Sequence, residues 1–212
     1  MNHRSAAQVK QSPRLRRYAR EASRLAALLL ILLSARSSFA DHYVVPTGSM
    51  LPTVHLGDHV VVNKLAYGLR VPFTHVFLHE GDAPARGDVV VLESPEDGIV
   101  LLKRVIALPG DRVAVREGRA VIGGVPVSVD TRGAGPAQEV LDGRAHTLNL
   151  DWGGGPDLPE TVLPPDHILV LGDNRGNSKD GRSFGLVERR AILGRVAGVF
   201  LRDGAPTWMG LQ

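Results

Sequence analysis

Ile99-Val-Leu-Leu-Lys-Arg-Val-Ile-Ala-Leu-Pro-Gly-Asp111 decides the architecture. An aliphatic, β-branched run from Ile99 to Ala107 ends in a Pro-Gly-Asp turn. A short apolar run closed by turn residues reads as a buried strand. The same pattern recurs outward from it, at His59 to Asn63, Asp88 to Glu93, Arg112 to Arg116, Arg119 to Ile122, Val125 to Val129, His167 to Leu171 and Ile192 to Leu201. Gly, Pro, Asp and Asn separate these runs, and no amphipathic helix of useful length interrupts them. The expected fold is mainly β. Strands with Val-Val-Val or Ile-Leu-Val cores are covered on both faces, which favours a folded antiparallel sheet or partial barrel over one open sheet.

Lys103 stands inside the deciding strand. Strand alternation puts it on the face of Leu101 and Val105, with Leu102 and Arg104 facing away. A lysine here either snorkels from a sheet edge or is buried, and a buried amine can serve as a base. That requires its pKa to fall from about 10.4 to roughly 7–8, a shift of about 3 to 4.5 kcal/mol that apolar burial can supply. A partner for such a base is Ser49, in Val45-Pro-Thr-Gly-Ser-Met-Leu-Pro-Thr53. A serine hydroxyl is a poor nucleophile until a base takes its proton.

A third stretch, Leu171-Gly-Asp-Asn-Arg-Gly-Asn-Ser-Lys-Asp-Gly-Arg-Ser-Phe-Gly185, leaves an apolar strand as a dense run of small and capping residues. It reads as a tightly hydrogen-bonded turn or as an ordinary surface loop. In the first reading the Ser178 hydroxyl orients a neutral lysine, and Asp180 and Arg182 pair to brace the loop. Asp173, Arg175 and Asn177 do not fit a calcium loop, and Phe184 stands where its glutamate belongs. His55 and His59 flank a Gly-Asp turn, so helical metal spacing does not apply. Scattered carboxylates single out no glycosidase-like pair.

The chain has 212 residues, 43% of them hydrophobic, enough for one compact domain with a small insertion. Its net charge of +3 is unevenly placed. Positions 1–40 hold eight Lys or Arg against Glu21 alone, a net of +7, so positions 41–212, with 17 basic and 21 acidic residues, carry −4. No large basic field remains for phosphates, which argues against nucleic acid as a partner. The basic leader precedes Leu25-Ala-Ala-Leu-Leu-Leu-Ile-Leu-Leu-Ser-Ala35, apolar on every helical face. These eleven residues fall short of the roughly 20 that a bilayer requires. Ala22 to Ala40 reaches that length if Arg24 and Arg36 snorkel from its ends. Two expectations stand: an amino-terminal transmembrane anchor over 22–40 behind a cytoplasmic leader over 1–21, or a signal cleaved after Ser38-Phe39-Ala40. Both export residues 41–212. The absence of cysteine removes disulfides, thiol nucleophiles and thiolate metal sites.

Within the exported part, about 113–163 is Gly- and Pro-rich without long apolar strands, and is expected to form a small inserted β-rich subdomain. Leu65 to Leu78 is unusually apolar for a connection; it is either core or a hairpin resting on a bilayer surface.

Pro46-Thr-Gly-Ser-Met-Leu-Pro-Thr53, Lys103-Arg-Val-Ile-Ala-Leu-Pro-Gly-Asp111 and Gly172-Asp-Asn-Arg-Gly-Asn-Ser-Lys-Asp-Gly-Arg182 occur in one order, behind an apolar leader. In this the chain, from about residue 25 to 200, resembles the type I signal peptidases, membrane-anchored serine–lysine endopeptidases. The resemblance implies cleavage of signal peptides from exported preproteins after small-x-small sites. It implies that Ser49 is the nucleophile, Lys103 the general base and Ser178 its orienting hydroxyl. Thr47, where the family usually has serine, joins the Ser49 backbone N–H in the oxyanion site. Asp180 and Arg182 become a supporting pair, and Asp173, Asn174 and Arg175 shape the loop. Val45, Pro46, Met50, Val54 and Leu102 match positions lining shallow apolar substrate pockets. No metal or cofactor is implied. The expected partners are preproteins and the lipid bilayer, the expected state a monomer at the cell membrane with its catalytic domain outside the cytoplasm. Alternatives are a specialised relative with one dedicated substrate, such as a pilin, and a non-catalytic anchored β-domain. The short single anchor, the compact insertion and the methyl group of Thr47 depart from the family pattern.

Overall fold

The structure, a computed structural model, describes residues 13–211 apart from 72–73, 75 and 131–136. Most of the basic leader (residues 1–12) and Pro72 and Phe73 of the apolar connection therefore lie outside the described residues. Helix α1 spans Pro13–Ser38 and leads through Phe39 into strand β1, Ala40–Val44. In chain order there follow β2 (His59–Asn63), β3 (Gly68–Arg70), β4 (Phe77–Glu80), β5 (Val89–Glu93) and β6 (Val100–Ala107). Then come β7 (Arg112–Arg116), β8 (Arg119–Ile122), β9 (Val125–Pro126), β10 (Ser128–Asp130), β11 (Ala137–Leu141), β12 (Arg144–Leu148) and β13 (Leu158–Val162). The chain closes with β14 (His167–Leu171), helix α2 (Gly181–Phe184), β15 (Val187–Glu188), β16 (Ile192–Arg202) and β17 (Ala205–Gly210).

The largest sheet has the order β1-β2-β16-β5-β6-β14-β15, with β17 also paired to β16, and its pairs are antiparallel. The sheet curls into a half-barrel, and β16 shows why. Its first residues pair with β5, its last with β17, and β2 runs along its other side, with register shifts at each changeover. Such bulges bend a strand and raise its twist. At Gly198 a Cβ would come within 2.6 Å of the Met209 carbonyl, so the crossing of β16 and β17 requires glycine. A cluster of Val45, Met50, Val54, Val60, Val62, Val89, Val91, Val196 and Val199 fills one end of the half-barrel. Tyr67, Val90, Leu92, Val105, Ile168 and Val170 belong to a second cluster.

Two further sheets, β13-β7-β8-β9 and β10-β11-β12, occupy the region expected to be an insertion. Their strands β10 to β13 are mostly polar and partly exposed. Without an apolar run they carry little sequence signal. The apolar connection contains the hairpin β3–β4, with Val76 and Leu78 exposed.

In α1, Leu25, Leu28, Leu29, Leu30, Leu32 and Leu33 are 45–68% exposed. Even so, among the described residues no helix is long and apolar enough to cross a membrane. The expected span over 22–40 is thus met by a helix whose apolar stretch is too short on its own. Arginines at 24 and 36 dilute the window that the leucines define.

Candidate active site

Ser49 follows β1 on a loop folded back on itself by Leu51 N–H to Gly48 O and Val54 N–H to Met50 O bonds. Its residue is 9% exposed. Lys103, in the middle of β6, is 2% exposed, and its Nζ lies 2.8 Å from Ser49 Oγ while donating to the Leu102 carbonyl at 2.9 Å. Burial lowers the Lys103 pKa from 10.5 to about 8, although the carboxylates of Asp180 and Asp173 act the other way. Thr47 Oγ1 is 3.4 Å from Ser49 Oγ. The bland reading of Lys103, an amine reaching solvent from a sheet edge, does not describe this geometry.

The loop after β14 closes over the serine. Asn174 N–H donates to the Ser49 carbonyl at 3.1 Å, and Asn174 Nδ2 to the Gly48 carbonyl at 3.1 Å. Asp173 is fully buried and grips Arg104 through Nε and Nη2 at 2.8 and 2.7 Å, while Thr53 Oγ1 donates to it at 2.6 Å. Burial would raise the Asp173 pKa, but Arg104 overrides it and the carboxyl stays below its ordinary value. Asp180 takes Arg182 Nε and Nη2, both at 2.8 Å, and the Gly172 N–H at 3.0 Å. It also caps α2 by accepting from Arg182 N–H. Arg182 Nη2 donates to the Arg175 carbonyl at 2.7 Å, joining the two halves of the loop. Ser178 Oγ is buried beside this arrangement, close enough to the Asp180 carboxylate to help hold its pKa below the ordinary value but without a well-formed hydrogen bond among the described residues. Beside it, Gly172 admits no side chain: a Cβ there would meet Ser178 Oγ and come within 2.5 Å of the Ser49 carbonyl.

A shallow apolar hollow of about 180 Å³ lies between β1 and β6, lined by Val45, Pro46 and Leu102 together with Tyr43, Val91 and Leu101. Met50 and Val54, expected to line substrate pockets, are instead fully buried in the core cluster that includes Val45. They support the hollow from below, because the turn after Ser49 directs them inward. Among the described residues no group of three His, Asp or Glu is placed to hold a metal ion.

Residues 18–201 match the family model described as signal peptidase, peptidase S26. The chain belongs to this family. Signal peptidase I of Pseudomonas aeruginosa is 34% identical over 197 residues, covering 82% of this chain and 69% of that one. Signal peptidase I of Bacillus caldolyticus is 35% identical over 170 residues, covering 78% and 82% respectively. A crystal structure of a signal peptidase I from Enterococcus faecalis is 29% identical, with a TM-score of 0.37 over 54% of this chain and 97% of that one. As a member of the S26 signal peptidases, the chain is a serine endopeptidase.

In this S26 site, Gly172 and Arg104 are among the residues to which sequence reasoning gave no role. Gly172 was legible as a small residue opening the third motif, but its closeness to Ser49 depends on the tertiary fold. Replacing Gly172 by Ala should lower kcat at least tenfold and destabilise the fold by about 1–3 kcal/mol, the usual cost of overpacking. Steady-state kinetics and thermal unfolding of the variant check both. A fully active, equally stable variant would show that the loop has room to give.

Proposed function

We propose that the chain is a membrane-anchored endopeptidase that removes signal peptides from exported preproteins, using Ser49 and Lys103 as a dyad. The observation that carries this reading is the 2.8 Å approach of a buried lysine amine to a serine hydroxyl. With Lys103 neutral, its Nζ lone pair takes the Ser49 proton as Oγ attacks the scissile carbonyl. The oxyanion that forms is stabilised by the Ser49 N–H and the Thr47 hydroxyl. The ammonium then gives its proton to the leaving amine, and the acyl-enzyme is hydrolysed by a water that Lys103 deprotonates. For Ser178 to orient Lys103 its buried hydroxyl must turn toward Nζ, with which it makes no hydrogen bond in the free enzyme, while Asp173, Asn174, Arg175, Asp180 and Arg182 hold the loop around it.

The small-x-small preference follows from the hollow. It is shallow and apolar, so it selects by excluding bulk rather than by polar bonds. The first residues of β6 pair with β5 on one side only, since β14 meets β6 at Arg104 and beyond. That leaves a strand edge on which an extended peptide can align. Helix α1 anchors the enzyme, with residues 1–21 cytoplasmic and 22–40 in the bilayer. Residues 41–212 form the exported peptidase domain, with the insertion at about 113–163. Because α1 feeds directly into β1, and β1 into the Ser49 loop, the anchor holds the nucleophile near the membrane surface.

Purified full-length chain should cleave a preprotein after its small-x-small site, and Ser49→Ala should reduce kcat by at least 10³-fold. Retained cleavage by Ser49→Ala would overturn the proposal. Because only the neutral amine acts as base, kcat/KM should rise about tenfold per pH step below about 8 and level off above it. A rate profile flat from pH 6 to 9 would exclude Lys103 as that base.

A further inference from the structure

The sheet β10-β11-β12 lies far from Ser49 in sequence, yet two separate connections tie it to the loop that closes the active site. The first is backbone. Strand β12 runs straight into Asn149, whose N–H donates to the Asp173 carbonyl at 2.9 Å and whose carbonyl accepts from Arg175 N–H at 3.0 Å. Asn149 and Asn174 thereby form a parallel bridge, and Asn174 N–H is the donor to the Ser49 carbonyl. The second is a buried ion pair. Glu139, in β11 and fully buried, accepts from Arg175 Nη2 at 2.6 Å and from Nη1 at 3.2 Å. Arg175 Nη1 also donates to the Gly118 carbonyl, and its Nε donates to the Gly172 carbonyl at 3.1 Å. His146, the cross-strand partner of Glu139 in β12, backs the carboxylate with Nε2 at 3.0 Å from Oε2.

We infer that Glu139 is a positioning residue of the peptidase: it fixes the Arg175 guanidinium, and through it the Gly172 carbonyl and the seating of the loop on Ser49. The inference rests on the reading of Ser49 and Lys103 given above. Its physical basis is that Arg175 cannot hold three acceptors in fixed directions unless its charge is balanced inside the protein, where water cannot do so. Burial works against ionisation of Glu139, but Arg175 and His146 prevail and lower its pKa to about 2, so the carboxylate is charged at neutral pH. Gly172 leaves no slack, since any side chain there would strike Ser178 and the Ser49 carbonyl. A shift of the loop of even a fraction of an ångström therefore moves the nucleophile relative to Lys103. Misplacement of that kind lowers kcat while leaving KM nearly unchanged, because the apolar hollow between β1 and β6 is untouched.

The test compares full-length wild type, Ser49→Ala, Glu139→Gln and the double variant Glu139→Leu/Arg175→Met on one preprotein. The double variant replaces a buried ion pair by apolar residues of similar size, a change that folds commonly tolerate. Its kcat is expected to fall at least tenfold with KM within twofold of wild type and a cooperative thermal transition retained. Glu139→Gln, which keeps the shape but loses the charge, is expected to lose kcat at least threefold. A folded double variant with wild-type kcat overturns the inference, as does an unchanged kcat in Glu139→Gln should the double variant not fold. If wild type and Ser49→Ala cleave equally, the dyad reading itself has failed, whatever Glu139 does.

Discussion

Lys103→Met is expected to abolish cleavage and to yield a protein that is more stable near neutral pH than the wild type. Loss of activity follows because, among the described residues, no other base approaches Ser49 Oγ in the way Lys103 Nζ does, at 2.8 Å. The stability gain follows from linkage. An unfolded lysine titrates near 10.5, whereas the folded one titrates near 8, so at pH 7 the folded state holds its proton less tightly. That difference costs the wild type about 3 kcal/mol at pH 7. Methionine fills a similar volume without this cost, at the loss of hydrogen bonds to Ser49 and Leu102 worth about 1 kcal/mol each. A net gain of about 1–2 kcal/mol is expected. The sign of the pH dependence is fixed: the wild-type cost is complete below about 8 and disappears as pH rises through 10.5. The advantage of the variant should therefore shrink by about 2 kcal/mol between pH 7 and 9.5. Denaturant unfolding of both proteins at the two pH values measures it. A gain independent of pH would mean that the methionine packs better, not that a charge was removed.

The strands that carry this chemistry were readable because each reports its own burial. Ile99 to Ala107 reads as a covered strand without knowledge of the remaining chain, and from Lys103 onward it is one, whereas Ile99 and Val100 are exposed where β14 does not reach; β5, β14 and β16 announce themselves likewise. Ser49, Lys103 and the 172–182 loop were read together as nucleophile, base and brace, and the fold brings these three distant segments to one place. What sequence reading could not reach depends on partners. Arg104 faces away from Lys103 as alternation requires, but a residue facing away at a sheet edge would meet water. Only the arrival of Asp173, supplied by the loop after β14, makes the arginine a buried one. Glu139 and His146 are invisible for the same reason, since polar residues on a short strand look solvated until a guanidinium from another segment covers them. Met50 and Val54 were expected to line substrate pockets on the strength of the family resemblance, and the tight turn after Ser49 points both into the core. The apolar leader illustrates the reverse case. Its composition led to the expectation of a membrane segment, yet among the described residues no helix is long and apolar enough to cross a membrane.

Arg104→Met should be among the most destabilising substitutions in the molecule, lowering stability by about 3–5 kcal/mol at pH 7. Removing the guanidinium leaves the Asp173 carboxylate buried with, among the described residues, only the Thr53 hydroxyl as a side-chain donor in place of the paired Nε and Nη2. It also deprives the Gly87 carbonyl of its bond from Arg104 Nη1 at 2.7 Å. In the wild type the arginine keeps the Asp173 pKa below its ordinary value despite burial, so the pair stabilises the fold above the unfolded carboxylate pKa and is lost as pH falls through the folded one. In the variant the Thr53 hydrogen bond and neighbouring His146 still favour the carboxylate, but burial, the largest influence, outweighs them, so the folded Asp173 binds its proton more tightly than the unfolded chain does and the sign reverses. The deficit relative to wild type should therefore be greatest at neutral pH and narrow in mild acid, as Asp173 becomes a neutral acid that tolerates its site. Arg104→Met/Asp173→Leu separates charge from shape: with both ions gone, most of the stability should return, because the buried pair is worth little beyond its own desolvation. Activity should not return with it. Asp173 also receives Thr53, which ties the turn after Ser49 to the loop that closes over it. A double variant that is stable yet slow would place the pair in the seating of the nucleophile, whereas one that recovers both properties would reduce it to a packing element.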